Sequence, residues 1–398
     1  MFMNISMNKG VISRGISAPM IKEGDDLVRI VVDSVINEVK NTTVTHIPYY
    51  IEGVRAFKTE EHMSYDVNDK DIIGITESVI ARAAGQYISV DDIAADIEKK
   101  FGKDAFIRLI DPIYSRNRFS MILKGIARAA KKLYIIMPSI DEVGNPSGVN
   151  PFTGVNIQEY YKKICESENC EVFFWDGVSS NNFRQEIPEL KDIPDVNTIY
   201  CGLHDYTGWK ENFGSPNHFT LADICDEFSP DWGLLGTNKS TEERLKLFPS
   251  KEVAQKVCDE VKAQIKEITG KDVIVMGYGD GCFHSPSING VSGTSIWEFA
   301  DPVSFLPSSL DEELLNSCPN EIKVKYLVDN KYSNLSGDEL NEAIQADILS
   351  VKENLKGKMV QEGCTPRRYG DLLASLMDLT SGSGSRCTPI VLVRHYFE

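Results

Sequence analysis

Short apolar runs alternate with amphipathic segments along most of this chain, and this alternation limits the possible folds more than any other feature. Residues 72–76 form a short apolar run, and a helical pattern follows from Glu77 until Gly85. Residues 26–40 place valine and isoleucine close to helical spacing. The segment "VDDIAADIEKKFG" (90–102) predicts another helix, and "RFSMILKGIARAAKKLYIIMP" (118–138) predicts a helix followed by a strand. Because such alternation is typical of proteins that mix both elements, the sequence predicts an α+β (mixed α and β) fold.

The charge and cysteine content exclude several classes of partner. The 398 residues carry 42 Lys and Arg against 59 Asp and Glu, a formal net charge of −17, which repels nucleic acid and anionic membranes. No apolar stretch reaches membrane-spanning length, and the first residues lack the apolar run of a signal peptide. Nine cysteines without a close CxxC pair argue against a disulfide framework and a zinc knuckle. We therefore expect a cytoplasmic protein with no nucleic acid and no membrane as partner.

Three acidic loops follow predicted strands. They contain Asp141 and Glu142 after "LYIIMP", His204 and Asp205 after "NTIYCGL", and Asp280 and His284 after "DVIVMGYG". Strand ends are where α/β proteins gather ligand groups, and Mg²⁺ binds carboxylate oxygens together with phosphate. Solvated loops carry the same residue types, so each single aspartate also has a purely structural interpretation. Three loops of one type favour a shared site for a metal ion and an anionic nucleotide.

The usual catalytic motifs are absent from the sequence. Asp280, Cys282 and His284 alternate, but no second cysteine or histidine pair lies nearby at ligand spacing, which argues against zinc. There is no Walker P-loop, no GxGxxG after a strand and no GxSxG elbow. The sequence therefore assigns no catalytic residue.

Two motifs near the C-terminus have alternative interpretations. The segment "TSGSGSR" (380–386), which contains Ser383, lies between two strand-like runs. It is either a flexible linker or a loop whose backbone N–H groups hold phosphate or carboxylate. Arg367 and Arg368 in "CTPRRYGD" suit bidentate contacts with carboxylate or phosphate, and they equally suit a structural salt bridge.

Four stretches, in the same order along the chain, carry a resemblance to a known family. They are "SAPMIKEGDDL" (17–27), "DIIGITESVIARAAGQ" (71–86), "IDEVGNP" (140–146), and "GLHDYTGWKENFG" (202–214) with the following "TLADICDEFSPDWGLLG". The first resembles the family's Leu-Pro-x-Ile opening before Gly-Asp-Asp-Leu, and the second resembles its strand with a Ser-Lys-Ala-Glu-Gly-Arg turn. The third resembles its Asp-Thr-x-Gly-Arg-Pro loop. The fourth resembles its Asp-x-x-Gly-x-x-Asp-x-x-Gly segment before a Thr…Ala-x-x-Asp-Glu helix. Together they resemble the coenzyme F-420 γ-glutamyl ligases.

The resemblance implies an activity and a domain organisation. Ligases of this family use GTP to phosphorylate a carboxylate of the F-420 precursor, and the amine of L-glutamate then attacks the acyl phosphate. Mg²⁺ or Mn²⁺ and K⁺ assist, and the family implies a homodimer; for this chain GTP and ATP both stay open. We expect a ligase-like domain at 14–236 and an extension at 237–398, mixed α/β, that contributes to the same cleft.

The resemblance also implies roles for single residues. The nucleotide site would be lined by Pro19, Met20, Ile21, Thr76 and Arg82. The metal would be held by Asp141 and Asp205, with Asp111 and Glu142 as helpers. Asp205 and Glu211 would lie in a metal- or substrate-binding loop, and the further candidates are His204, Asp280, His284, Arg367, Arg368 and Ser383.

The chain departs from the family pattern in two turns. The family's Ser-Lys is Ala81-Arg82 here, and its Thr-x-Gly-Arg is Glu142-Val143-Gly144-Asn145, which lacks the arginine. Arginine does not replace lysine in a point contact. Three functions therefore stay open: an F-420-precursor ligase, a γ-glutamyl ligase for a folate-like or pterin-like acid, and a non-catalytic homologue that binds a ligand.

Overall fold

The computed structural model confirms a fold that mixes helices and strands, and it describes residues 10–52, 54–141, 144–151, 153–176, 196–202, 218–238, 243–279, 327–350, 369–381 and 387–396. The α-helices in these ranges are α1 Leu27–Val39, α2 Glu77–Ala83, α3 Val90–Phe101, α4 Arg118–Ala129, α5 Ile157–Ser167, α6 Lys251–Thr269, α7 Gly337–Ser350 and α8 Tyr369–Ser381. The strands are β1 Ile12–Ile16, β2 Lys40–Ile51, β3 Val54–Tyr65, β4 Ile72–Thr76, β5 Tyr87–Ser89, β6 Ala105–Ile110, β7 Ala130–Met137, β8 Glu171–Asp176, β9 Asn197–Tyr200, β10 His218–Thr220, β11 Thr237–Asn238, β12 Arg244–Leu247, β13 Ile274–Tyr278 and β14 Ile390–Arg394.

A five-stranded parallel sheet forms the largest layer, with the strand order β10-β9-β6-β7-β8. The chain runs outward from β6 through β7 to β8, and then returns to the other side of β6 to form β9 and β10. The direction of winding therefore reverses between β6 and β9. In open parallel sheets, such a reversal leaves a crevice beyond the carboxyl ends of the two strands, and ligands bind there.

Helices α3, α4 and α5 cover this sheet, and their local sequence explains where they form. Ser89 and Asp92 make a reciprocal capping box at the start of α3: the Ser89 hydroxyl accepts from the Asp92 amide, and the Asp92 carboxylate accepts from the Ser89 amide. The apolar faces of α3 and α4 are fully buried, as Ile97 and Ile126 show. Parallel strands need such cover, because both faces of their sheet are apolar.

A second sheet joins strands from both ends of the sequence, in the order β1-β14-β4-β13. Strands β4 and β13 are parallel, and β14 is antiparallel to both β1 and β4. Helices α1 and α6 share one hydrophobic core with this sheet, and α8 packs on the sheet through Leu373, Ala374 and Met377. The domain division at residue 236 stays a prediction; strands from both sides of it build this sheet.

Two local predictions are corrected by the structure. The run before "TSGSGSR" is helix α8 and not a strand, because its buried side chains recur at positions 373, 374 and 377, on one helical face. The segment that follows β10 is a three-residue 3₁₀ helix, Leu221–Asp223, followed by turns instead of an α-helix. The Asp223 carboxylate accepts from the Thr220 amide and hydroxyl, and Cys225 has φ +58°, which a helix does not allow.

The hairpin of β2 and β3 was not anticipated from the sequence. Its two antiparallel strands run in register from Lys40 opposite Tyr65 to Ile51 opposite Val54.

Among the helices that the structure describes, none combines the length and the apolar composition needed to cross a bilayer.

Candidate functional site

The carboxyl edge of the parallel sheet brings two of the predicted metal ligands to one side of the molecule. Asp111 directly follows β6, and its amide donates to the Ile136 carbonyl of β7 over 3.2 Å. Asp141 lies in the loop after β7. Cys201, which follows β9, donates its amide to the Ile110 carbonyl at 2.8 Å. The loops after β6, β7 and β9 therefore leave the same edge, at the point where the winding of the sheet reverses.

The other residues predicted for this edge lie outside the described residues. They are Glu142, His204, Asp205 and Glu211. The chain enters the segment that contains His204 and Asp205 from Gly202, two residues after β9. The chain therefore enters this segment at the edge where Asp111 lies, and the metal role of Asp205 stays a prediction.

Asp141 is a buried carboxylate that joins two of these loops. Its side chain is 3% exposed. One oxygen accepts from the Asn145 amide at 2.7 Å, and the other accepts from the Tyr114 amide at 2.7 Å and from Asn145 Nδ2 at 3.0 Å. Asp141 therefore shapes its own loop and fixes the loop after β6 to it. A carboxylate has about four lone-pair sites, so these donors use most of its capacity.

A buried tyrosine supports the same loops from below. Tyr161 of α5 is fully buried, and its hydroxyl donates to the Ser115 carbonyl at 3.1 Å. Burial, together with the negative charge of Asp141, raises the pKa of Tyr161 well above its usual value. Tyr161 therefore stays a neutral hydrogen-bond donor that helps to hold the loop between β6 and α4.

A second edge, on the four-stranded sheet, gathers the residues predicted for the nucleotide. The Thr76 amide donates to the Pro389 carbonyl at 3.0 Å, and the Ala18 amide donates to the Cys387 carbonyl at 3.1 Å. Thr76 also pairs with Tyr278 at the end of β13. The segment that carries Pro19, Met20 and Ile21 therefore begins at the same sheet edge as Thr76.

Met20 and Arg82 contact each other at this edge. Arg82 Nη1 lies 3.9 Å from Met20 Sδ. Met20 is 70% exposed, whereas Ile21 is buried, so the two neighbouring side chains have different roles. Ala81 is fully buried. The position where the family carries its serine is therefore part of the core here and offers no group to a ligand.

Two C-terminal motifs start or end at this second edge. Gly279 directly precedes Asp280, and strand β13 before it pairs with β4. Cys387 directly follows the segment that contains Ser383. Asp280, His284, Arg367, Arg368 and Ser383 themselves lie outside the described residues. Their convergence with the acidic loops stays a prediction.

Lys246 is a buried cation that the sequence analysis missed. It is 3% exposed in β12, and its ammonium donates to the Ser78 hydroxyl and to the Ser78 carbonyl of α2. Its neighbours Leu245 and Leu247 are also buried. A lysine between leucines in a short strand was the available signal. It could not be interpreted because its partner lies 168 residues earlier in the chain.

Five of the six described cysteines are buried, and the sixth, Cys387, is exposed. Cys165, Cys170, Cys201, Cys225 and Cys258 are buried free thiols. Burial raises the pKa of Cys170 and of Cys258 to about 12, which keeps both thiols protonated and unsuited to bind a metal or attack a carbonyl. Within the described ranges, no group of three or more His, Cys, Asp and Glu side chains is placed to hold a metal ion.

Comparison with known proteins gives one informative match. No curated protein sequence matches the chain. Two solved structures, the tetrameric eIF2B-beta2-delta2 complex from C. thermophilum and eIF2B beta from Chaetomium thermophilum, match with 18% and 16% identity and TM-scores of 0.18 and 0.17. Each match covers 28% of this chain, and this chain spans only 31% and 29% of the two solved chains. TM-scores this low carry no argument about the fold. The family model F420-0:Gamma-glutamyl ligase matches residues 15–395. Because this range includes nearly the whole chain, the protein belongs to the F420-0:gamma-glutamyl ligase family.

Proposed function

We propose that the protein is a nucleotide-dependent and metal-dependent amide ligase that joins L-glutamate to a carboxylate of an F-420-precursor-like acid. The observation that carries this proposal is the reversal of winding between β6 and β9. In open parallel sheets such a reversal forms a ligand-binding crevice, and here this edge bears Asp111 and Asp141 and is where the chain enters the segment with Asp205. Family membership supplies the reaction class.

The proposed reaction has two steps. The acid's carboxylate oxygen attacks the γ-phosphorus of GTP or ATP, forming an acyl phosphate and releasing the nucleoside diphosphate. The amine of L-glutamate then attacks the acyl carbon, loses a proton, and displaces phosphate as the amide forms. Both steps bring anions together in a chain of net charge −17, so the site has to supply local positive charge.

The residues at the two edges fit these requirements. Carboxylate oxygens are the ligands that Mg²⁺ and Mn²⁺ prefer, so Asp141 and Asp205 would hold a divalent ion that offsets phosphate charge, with Asp111 and Glu142 as helpers and K⁺ as an assisting ion. Asp141 would contribute only the acceptor capacity that its three hydrogen bonds leave. Arg82 is half-buried beside Met20 at the other edge and would offer a cation to a phosphate. We also propose that the enzyme works in the cytoplasm as a homodimer.

Nucleotide binding tests the proposal directly. We expect Arg82→Glu to weaken binding of GTP or ATP at least tenfold in the presence of Mg²⁺, because a charge-assisted contact contributes about 1.5–3 kcal/mol. Titration calorimetry with both nucleotides would measure this. The matched control is Arg29→Glu on α1, where the side chain is 78% exposed and the wild-type affinity should be kept.

Two other results would separate the alternatives. Wild-type protein that binds neither nucleotide with metal present would overturn the ligase proposal and favour the non-catalytic homologue. Equal binding by wild type and Arg82→Glu would show that the nucleotide site lies elsewhere.

The second candidate function is a γ-glutamyl ligase for a folate-like or pterin-like acid on the same scaffold. The buried Ala81, at the position of the family's serine, has no hydroxyl to offer a ligand, and this loss favours the third candidate, a non-catalytic homologue that binds a ligand. Incubation of the enzyme with each acid, glutamate and nucleotide, followed by mass spectrometry, would identify which acid gains a glutamyl residue.

A further inference from the structure

The loop of residues 111–117, which connects β6 to α4, is hereafter called the β6–α4 loop, and it displays an exposed arginine, Arg116. Within the described ranges, the hydrogen bonds of Arg116 use only its backbone carbonyl, and its guanidinium has no hydrogen-bond or salt-bridge partner. Arginine is mostly exposed in proteins, and exposure alone assigns no role. The position of Arg116 at the carboxyl edge of the parallel sheet, where the winding reverses, distinguishes it from an ordinary surface arginine.

The neighbouring Arg118 has a purely structural role in the same segment. Its Nε donates to the carbonyl and the hydroxyl of Thr237 at 3.1 and 3.0 Å, and its Nη2 donates to the Leu234 and Leu235 carbonyls at 3.2 and 2.9 Å. These bonds join the start of α4 to the turn before β11. Arg116 lies two positions earlier and makes no such bond to the described residues, so its guanidinium does not hold this part of the fold together.

The backbone at Arg116 is held from two helices. Its carbonyl accepts from the Ser120 hydroxyl of α4 at 2.6 Å and from the Tyr160 hydroxyl of α5 at 3.3 Å. The Ser115 carbonyl next to it accepts from the buried Tyr161 hydroxyl at 3.1 Å. Ordering a loop and its side chains on binding costs free energy. Because this backbone is already fixed, a ligand of the guanidinium has less of that cost to offset.

The β6–α4 loop is also joined to the loop that bears the proposed metal ligand. The Tyr114 amide donates to the Asp141 carboxylate at 2.7 Å. Two residues of extended chain span at most about 7 Å, so the backbone of Arg116 stays within that distance of Tyr114. Asp111, which opens the loop, donates its amide to the Ile136 carbonyl of β7 at 3.2 Å. The loop therefore brings a cation to the edge where both carboxylates lie.

We propose that Arg116 is a specificity-determining residue of the ligase site, whose guanidinium binds an oxyanion of one substrate, either a carboxylate of L-glutamate or a phosphate of the nucleotide. This inference rests on the proposed function. Both ligands share one chemistry, because a carboxylate and a phosphate each offer two oxygens that accept parallel N–H bonds from a guanidinium. Both are anions, and the chain has a net charge of −17, so an edge that carries two carboxylates needs a cation to attract them.

Titration calorimetry on the full chain tests the inference. GTP and ATP are titrated with Mg²⁺ present, and L-glutamate is titrated with and without the nucleotide. We expect Arg116→Ala to weaken binding of at least one of these ligands tenfold or more, because it removes charge-assisted hydrogen bonds. Arg116→Lys keeps the charge and loses the paired donors, so it should recover only part of the affinity. Weaker binding of glutamate alone would identify a carboxylate, and weaker binding of nucleotide alone would identify a phosphate.

Two controls separate this role from a structural one. Arg29→Ala on α1 changes an arginine whose side chain is 78% exposed, and it should keep the wild-type affinities. The urea midpoint of Arg116→Ala should equal that of wild type, because the substitution removes an exposed side chain that holds no described residue. A lowered midpoint together with weaker binding of every ligand would assign Arg116 to structural support and overturn the inference.

Chemical modification provides a measurement that needs no variant. Phenylglyoxal modifies exposed guanidinium groups, and peptide mass spectrometry reports the rate at each arginine. We expect the ligand that Arg116 binds, added with Mg²⁺ at about ten times its dissociation constant, to slow modification of Arg116 roughly tenfold and to leave Arg29 unaffected. Equal rates with and without each ligand, in a protein that binds them, would overturn the inference and leave the proposed function intact. Wild-type protein that binds neither nucleotide nor glutamate would overturn both.

Discussion

The variant Asp141→Ala is expected to lower the free energy of unfolding by about 3 kcal/mol. The change removes a 3%-exposed carboxylate that accepts from the amides of Tyr114 and Asn145 and from Asn145 Nδ2. Each buried donor that loses its partner costs about 1–3 kcal/mol, and charge-assisted bonds lie at the upper end. Urea denaturation, with the midpoint and slope both fitted, would measure the loss.

Two further variants make this result specific. Asp141→Asn keeps the shape and one acceptor oxygen, so its loss should be clearly smaller. Asp259→Ala changes an exposed aspartate of α6 that accepts only an exposed bond from Gln255 and should have little effect. If Asp141→Ala and Asp259→Ala were equally mild, the carboxylate would not be what joins the two loops.

The metal role of the same residue has a separate test. We expect Mg²⁺ or Mn²⁺, added with nucleotide, to raise the melting temperature of wild-type protein, because a ligand that binds only the folded state stabilises it. The shift should be absent in Asp205→Asn and reduced in Asp141→Asn. Calorimetry that finds no metal-dependent shift in wild type, or an undiminished shift in both variants, would show that these carboxylates do not bind the metal.

Local signals determined which elements could be predicted from the sequence. Helix α3 was predicted because its start and its apolar face are encoded within 13 residues, beginning at the Ser89 cap. The succession of α4 and β7 was predicted for the same reason. Between Arg128 and Leu133 the spacing of apolar residues changes from a helical period to the continuous apolar run of a buried strand. Asp141 and Glu142 were also identified from their position after an apolar run, whereas Asp111 was named only through the family resemblance.

Features that depend on distant partners could not be predicted in the same way. The hairpin of β2 and β3 was missed because most of its apolar residues are exposed, so their alternation does not separate a buried face from an exposed one. Lys246 was missed because its partner Ser78 lies on helix α2, 168 residues earlier in the chain. The pairing of β4 with β13 and β14 joins residues about 200 and 300 positions apart, and no local pattern specifies such a register.

The variant Gly233→Ala should lower the free energy of unfolding more than any other addition of one methyl group among the described residues near the site. Gly233 has φ +53°, where a residue with a Cβ is strained. An added Cβ would lie 2.3 Å from the Ala222 carbonyl oxygen and 2.7 Å from the Leu221 oxygen, and both are backbone atoms that no rotamer change can move. Backbone strain at this φ costs about 1–3 kcal/mol, and overpacking by the added methyl group costs about 1–3 kcal/mol. We therefore expect the free energy of unfolding to fall by about 3–5 kcal/mol.

The damage should reach the candidate site through one arginine. The turn at Gly233 positions Leu234 and Leu235, whose carbonyls accept from Arg118 Nη2 at 3.2 and 2.9 Å. Arg118 begins α4, directly after the loop that Asp111 opens. Gly148→Ala is the control, because its Cβ would meet no heavy atom within 4 Å. We therefore expect Gly233→Ala to lower the urea midpoint and to increase hydrogen exchange in residues 111–118, while Gly148→Ala changes neither. An unchanged midpoint would mean that the backbone around Ala222 can move aside, and that the segment after β10 is not a rigid support of the site.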